Sequence, residues 1–417
     1  MVVSIIGLGY IGLPTAALIA SKGIKVIGVD NNPDIVKIVN QGKIHIIEPD
    51  LDNLVESTVK NGNLKASINP VKADVYIIAV PTPFKEGHSP DLSYVKAAAI
   101  AISPLLKKGN LVILESTSPV GTTEKIIDWI SEDRPDLALP QEFEQEIFDI
   151  SFAYCPERVL PGNVINELVK NDRIIGGISL QCAENACNFY KIFIESNCLV
   201  TNSRTAELTK LVENSFRDVN IAFANELSLI CDKLNINVWE LIKLANRHPR
   251  VDILKPGPGV GGHCIAVDPW FIVHSSPEEA RLIKLARNIN DQKPHLIINK
   301  VIDSVSKVNK RNNEINVGFL GLSFKPNIDD LRGSPAIEIV RAIGKLPLKK
   351  YYIVEPNIKN LPKEFISSSF ELTSLNNAIL SSDIVVLLVD HKEFSNIDLN
   401  LLSGKEIIDT RGSWSSV

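Results

Sequence analysis

The first thirty residues admit few structural solutions. VVSII (2–6) is a short β-branched run of the kind found in a parallel strand buried on both faces. It runs directly into Gly7-Leu8-Gly9-Tyr10-Ile11-Gly12 and then into helical text, PTAALIASKG, with Pro14 near its first turn and Gly23 at its end. KVIGVD follows as a second strand that ends on Asp30. The G-x-G-x-x-G spacing alone is a weak signal, and a Gly-rich turn with no ligand would share it. Set between a strand and a helix and followed by an acid, it predicts a βαβ unit that binds a dinucleotide. The glycines allow a tight turn and let backbone approach a pyrophosphate at the helix N-terminus. Asp30 accepts hydrogen bonds from the adenosine ribose and repels a 2′-phosphate, which favours NAD over NADP. Gly7, Gly9, Tyr10, Ile11, Gly12 and Asp30 are the expected cofactor contacts.

Two further strands, VYIIAV (75–80) and LVILEST (111–117), alternate with helical text, as in a doubly wound α/β domain. Thr82 in AVPTP and Thr117 in ESTSPVG follow those strands, where hydroxyls at the carboxyl edge of a sheet face a cofactor; plain turn chemistry would also place them there. Residues 131–150 read as an acidic surface insertion. From about Thr205 the texture becomes helical for nearly thirty residues, with Leu208, Leu211, Val212, Phe216, Val219 and Phe223 on one face. The helical segment runs to about residue 305, and SKVNKRNNE (306–314) suits a linker. The last hundred residues then echo the first domain. INVGFLGL resembles the opening strand and turn, YYIVEP resembles KVIGVD with Glu355 in the place of Asp30, and DIVVLLVD and EIIDTRG match the next two strands. The expected fold is α/β, with two Rossmann-like doubly wound domains (1–200 and 311–417) joined by a helical domain (201–310) with a long core helix. Two unrelated α/β halves would be the alternative.

The formal charge of −5 over 417 residues gives no reason to expect a nucleic-acid partner. No apolar run reaches the roughly 18 residues that span a bilayer, and the N-terminus has no cationic region ahead of its apolar stretch, so it reads as a strand rather than a signal peptide. Six cysteines without a CxxC pair point to free thiols in a reducing cytoplasm, with no metal site and no membrane attachment expected.

KPGPGVGGHCIAVDP (255–269) is the most informative loop. Burial as a structural thiol is the commonest fate of a cysteine, but a Gly-rich loop lets a substrate approach Cys264 closely, as a nucleophile requires. Lys210, Asn214 and Arg217 form a polar row at i, i+4, i+7, whose ordinary meaning is a solvated face. Glu157 and Arg158 in YCPERVLPG, His248 and Arg250 in HPR, and Lys325 and Arg332 in FKPNIDDLRGSP are singly ordinary surface charges. Collectively the cations suit a diphosphate.

GLGYIGLP, VPTP, STSPVG, CPER, K-x-x-x-N, GxGVGGHCI-x-x-DP and FKPNIDDLR stand in the order found in UDP-sugar 6-dehydrogenases, and the chain resembles that family over essentially its whole length. The resemblance implies two NAD-dependent oxidations at C6 of the sugar, alcohol to aldehyde to carboxylate. Cys264 matches the nucleophile that forms a thiohemiacetal and then a thioester. Lys210 matches the general acid/base, Asn214 the group that positions the oxygen or a water, and Asp268 an aspartate that assists proton transfer. Glu157 matches the first of two glutamates; the second is absent, its position being Pro161. Arg158, Val159, Arg217, His248 and Arg250 fall on substrate-side positions together with Lys210 and Asn214. So do Gly261, Phe324, Lys325 and Arg411, while Arg332 falls on a cofactor-contacting one. The residue matching Arg250 can reach a neighbouring subunit, which implies a homodimer or a higher homo-oligomer. IHIIEPDL, CPERVLPG and PGPGVGGHCIAVDPWFIV are similar to the branch that oxidises UDP-N-acetylmannosamine, with UDP-glucose or another UDP-N-acetylhexosamine as alternatives. A two-electron dehydrogenase sharing the first domain would need no thiol, and an NAD-binding module without turnover would need none of Cys264, Lys210, Asn214 and Asp268.

Overall fold

The computed structural model describes residues 1–46, 48–140, 147–159, 162–262 and 264–414. They form two compact units, Met1–Glu213 with Trp270–Pro277, and Asn214–Pro269 with Glu278–Val417. No helix among the described residues is long and apolar enough to cross a membrane.

The first unit holds strands β1 (Val2–Ile6), β2 (Lys25–Val29), β3 (Leu64–Ser67), β4 (Val75–Ile78), β5 (Asn110–Leu114), β6 (Ile150–Tyr154), β7 (Arg173–Gly177) and β8 (Cys198–Asn202). They build one sheet in the order β3-β2-β1-β4-β5-β6-β7-β8, with every neighbouring pair parallel except β6 and β7. Separate apolar clusters cover its two faces, which is why β1, β4 and β5 read as unbroken apolar runs. The predicted βαβ opening is present, its helix running from Gly12 to Ser21. β3 escapes the sequence reading because LKAS is four residues long, sits on the sheet edge and carries one large apolar side chain. The expected acidic insertion is entered by a helix, Thr122–Asp133, and left by β6; residues 141–146 lie outside the described residues.

The second unit holds β9 (Asn316–Leu320), β10 (Lys350–Val354), β11 (Phe370–Leu372), β12 (Ile384–Leu387) and β13 (Glu406–Asp409), all parallel, in the order β11-β10-β9-β12-β13. That order repeats β3-β2-β1-β4-β5, so the internal echo read in the sequence is an echo of topology. It extends to single hydrogen bonds. Gly7 (φ 99°) and Gly321 (φ 93°) both turn in the left-handed region that an L side chain resists. Asp30 accepts from the N–H groups of Leu8 (3.1 Å) and Asn32 (2.9 Å). Glu355 accepts from those of Leu322 (2.7 Å) and Asn357 (3.2 Å). The halves diverge after the turn: the first helix starts at Gly12, whereas its counterpart starts at Pro335, after a long loop that carries Lys325 and Arg332.

Two long helices pack in the second unit. The first, Ser203–Leu234, begins in the first unit, and the second is Arg281–Lys307. Ile297, Val301 and Val305 of the second helix join the core of the five-stranded sheet. The predicted long helix is present, but its burial departs from the expectation. Leu208, Val212, Phe216 and Phe223, from the row read as apolar, are exposed, and so are Ile230 and Leu234; only Leu211 of the exposed row's predicted companions is fully buried. The buried face carries Glu207, Asn214, Ser215, Asp218, Asn225 and Ser228. The polar row is therefore not simply solvated: Arg217 is exposed, Lys210 is half-buried and Asn214 is buried. Periodicity reports that one face of a helix is apolar; it does not report which face this chain itself covers.

Candidate active site

The Gly-rich turn is tightly determined. Gly7 donates its N–H to Val29 O (2.8 Å), and a side chain at Gly12 would collide with the Gly7 carbonyl. A side chain at Gly9, in contrast, would meet no atom of the protein. The helix that starts at Gly12 has neither a side-chain cap nor an acidic residue in its first turn. Open space at Gly9 and an uncapped helix N-terminus fit a dinucleotide pyrophosphate. Asp30 closes the turn through Leu8, and Tyr10 is exposed on it beside half-buried Ile11. Thr82 donates its hydroxyl to Thr117 O (2.5 Å), which ties the loops after β4 and β5 together. IHIIEPDL supplies two contacts that sequence spacing does not reveal. His45 lies beside Leu8 and Asp30, and burial lowers its pKa. Glu48 accepts from Gly162 N (2.9 Å) and Val164 N (2.7 Å), which anchors the far end of the CPER loop across more than a hundred residues.

Glu157 in that loop is buried, held by Arg173 Nη1 at 2.9 Å and by the Arg158 N–H at 2.7 Å. Arg158 pairs with Glu213 (2.6 Å), so part of its charge is already matched within the chain, and Val159 beside it is half-buried. Pro161 lies outside the described residues. Behind Glu157, Tyr190 donates to Glu115 (2.6 Å). Burial pushes the Glu115 carboxyl up to about 7 and the Cys155 thiol up to about 12, which keeps Cys155 a neutral thiol.

In the second unit the cysteine loop is built from backbone. Cys264 O accepts from the N–H groups of Val267 (3.0 Å) and Asp268 (2.9 Å). Of the six cysteines Cys264 is exposed, Cys198 is half-buried and the other four are buried. Asn214 donates its amide to Asp268 Oδ2 at 2.5 Å, both groups being buried. Gly261 and Gly262 exist because the loop presses on its neighbours: a Cβ on either would overlap Phe324, and one on Gly261 would also overlap the Gly333 carbonyl and Pro335. Arg411 reaches Gly257 while its Nε donates to Asp390 (2.8 Å). Half-buried Lys325 follows Phe324. Arg332 is braced by Asp330 (2.8 and 2.7 Å). His248 and Arg250, both exposed, form one turn in which the Arg250 N–H donates to His248 Nδ1 (3.3 Å). The second unit thus assembles Cys264, Asn214, Asp268, Gly261, Phe324 and Arg411 around one loop. The first unit assembles the Gly-rich turn with Asp30 and, separately, Glu157 with Arg158. An exposed thiol on a loop whose end is held by an amide–carboxylate bond can add to a carbonyl.

The residues match three family profiles: the NAD binding domain (1–194), the central domain (204–292) and the UDP binding domain (318–416) of the UDP-glucose/GDP-mannose dehydrogenase family. The chain is 57% identical to an NDP-N-acetyl-D-galactosaminuronic acid dehydrogenase of Ralstonia nicotianae, covering 99% of this chain and 96% of the relative. It is 56% identical to the UDP-N-acetyl-D-mannosamine dehydrogenase of Escherichia coli, covering 99% of each. Among solved structures, the UDP-N-acetyl-mannosamine dehydrogenase of Staphylococcus aureus superposes with a TM-score of 0.87 at 39% identity, covering 99% of this chain and 95% of that one.

Proposed function

The chain belongs to the UDP-glucose/GDP-mannose dehydrogenase family, and from that premise we propose that it oxidises UDP-N-acetylmannosamine to the uronate in two NAD-dependent steps. The observation that carries this reading is the exposed Cys264 on a loop braced by the Asn214–Asp268 bond, in a chain with a complete NAD-type Gly-rich turn. The sugar is taken from the Escherichia coli and Staphylococcus aureus relatives.

Two NAD molecules, bound one after the other at the Gly-rich turn, would supply the hydride acceptors, the first for the C6 alkoxide as it becomes the aldehyde and the second for the thiohemiacetal as it becomes the thioester. Lys210 takes the proton from the C6 hydroxyl and stabilises the alkoxide. The Cys264 thiolate then bonds C6 of the aldehyde, giving a thiohemiacetal whose oxygen is held by Lys210 and Asn214. Loss of the remaining C6 hydride gives a thioester. Asp268 and Glu157 assist water in cleaving the C–S bond, which returns the thiol and releases the carboxylate. Arg158, Val159, Arg217, His248, Gly261, Phe324, Lys325 and Arg411 hold the nucleotide sugar, and Thr82, Thr117 and Arg332 hold the cofactor. The exposed row through Phe216 and Phe223 supports a homodimer, in which Arg250 reaches the partner's site. A thiol nucleophile suits the reducing cytoplasm.

The galactosaminuronic acid relative has nearly the same identity, so oxidation of UDP-N-acetylgalactosamine is the second reading. Purified protein should form two NADH per UDP-N-acetylmannosamine and work faster on it than on UDP-N-acetylgalactosamine, UDP-N-acetylglucosamine or UDP-glucose. Faster work on another sugar reassigns the substrate, and full turnover by Cys264→Ala overturns the mechanism.

A further inference from the structure

We propose that Asn225 is a positioning residue for the cysteine nucleophile, fixing the entry of the Cys264 loop as Asn214 fixes its exit. The inference rests on the reading of Cys264 given above. Asn225 lies on the long helix 11 residues after Asn214, about 16 Å further along the axis and about 20° around it, so both amides face one side. The Asn225 carboxamide oxygen accepts the N–H of Gly257 (2.9 Å), at the start of the loop. Asn214 holds Asp268, at the loop's end.

The orientation of the Asn225 amide is imposed from the interior. Arg287, fully buried on the second long helix, pairs with Asp218. Asn290 donates its amide to the Asp218 carboxylate (2.8 Å) and to the Asp218 carbonyl (3.0 Å). Its oxygen must therefore face away from Asp218, and it accepts from Asn225 Nδ2 (2.8 Å). That leaves the Asn225 oxygen toward Gly257. Each amide has one orientation that satisfies its partners, so polarity runs from the guanidinium to the loop backbone without an alternative. Asn225 and Asn290 are fully buried, so a broken link leaves a buried group without a partner. The next polar rung of the same seam, Ser228 with Lys293, has no bond to the loop in this chain of contacts, since Ser228 donates to the Asn225 carbonyl.

That difference makes Ser228→Ala the matched control for Asn225→Ala and the milder Asn225→Ser. A displacement of the loop by about 1 Å is enough for a large rate loss. Both Asn225 variants should lower kcat by about 10–100-fold, while KM for the UDP-sugar and the Kd of NAD stay within about threefold. Ser228→Ala should lose a comparable melting temperature and keep its kcat. Cys264 alkylation by iodoacetamide, read by peptide mass without substrate, should change more than about threefold in rate in Asn225→Ser and not in Ser228→Ala. Unchanged kcat and alkylation in Asn225→Ser, or equal losses in the Ser228 control, overturn the proposal. Failure of the wild-type protein to oxidise any UDP-sugar refutes the functional reading instead, and the alkylation rates still decide the role of Asn225.

Discussion

Replacing Phe216 with alanine should weaken self-association of the chain by three to four orders of magnitude while leaving each copy folded. Phe216 is 67% exposed on the long helix, in a row with Phe223 at 51% and Ile230 at 46%. A phenylalanine offers about 200 Å², so about 130 Å² of Phe216 is open to a partner. At about 25 cal/mol per Å² that area is worth about 3 kcal/mol, or about 2.5 kcal/mol once the retained Cβ is allowed for. A two-fold interface contains the residue twice. The loss is then about 5 kcal/mol, a factor of roughly 10³–10⁴ in Kd. Ordering costs on association lower the absolute affinity but largely cancel in the comparison. Folding of the single chain should change by less than about 0.5 kcal/mol, because the site is exposed and alanine is the better helix former. Sedimentation velocity over a concentration series separates the two quantities. A Phe216→Ala protein that dissociates at the same concentration as the wild type would refute the argument, because the exposed row would then not be covered by a second copy.

Two other outcomes follow from buried ionisable groups. Glu115 has its carboxyl raised from 4.5 to about 7, chiefly by burial, so the folded state holds a proton that the unfolded state releases between those values. Its stabilising contribution is complete below about pH 4.5 and is lost as pH rises through 7; the difference is about 3 kcal/mol. Glu207, raised to about 7, and Asp218, raised to about 6, act in the same direction. Thermal melts should therefore show a fall in Tm from about pH 5 to about pH 8, and Glu115→Gln should flatten it; an identical slope would contradict the assignment. In the second unit, fully buried His391 lies 3.0 Å from Glu355 and accepts the Asn327 N–H at 2.9 Å. His391→Ala leaves the Asn327 N–H without its acceptor and removes one of several partners from Glu355, and should cost roughly 1–3 kcal/mol in urea unfolding; an unchanged midpoint would contradict it.

The legibility of the chain follows its physics. β1, β4 and β5 were readable because a parallel strand buried on both faces needs a continuous apolar run; β3, an edge strand of mixed polarity, was not. The G-x-G-x-x-G turn and Asp30 were readable because local geometry at Gly7 demands a particular residue type. The same holds for the topological echo carried by Gly321 and Glu355. Cys264 was readable as a candidate from the glycines around it, while the exposure of its thiol is a fact of the tertiary structure. Asn225 and Glu48 left no signal, since an asparagine in a helix or a glutamate before a proline has no local reason to be there.

The sequence by itself determined β1, β2, β4 and β5, the Gly-rich turn and the long helix, because those choices are governed by backbone sterics, by unbroken apolar runs and by the helical period of 3.6 residues. It also supplied the cofactor chemistry, which resides in a turn of six residues. The tertiary structure alone decided which side of the long helix is buried. Asp218, Asn225 and Ser228 lie inward because Arg287, Asn290 and Lys293 on a helix more than fifty residues away satisfy them. The cost of burying a polar group depends on a partner that no local pattern encodes. With that face turned inward, the apolar row through Phe216 remains outside, available to a second copy.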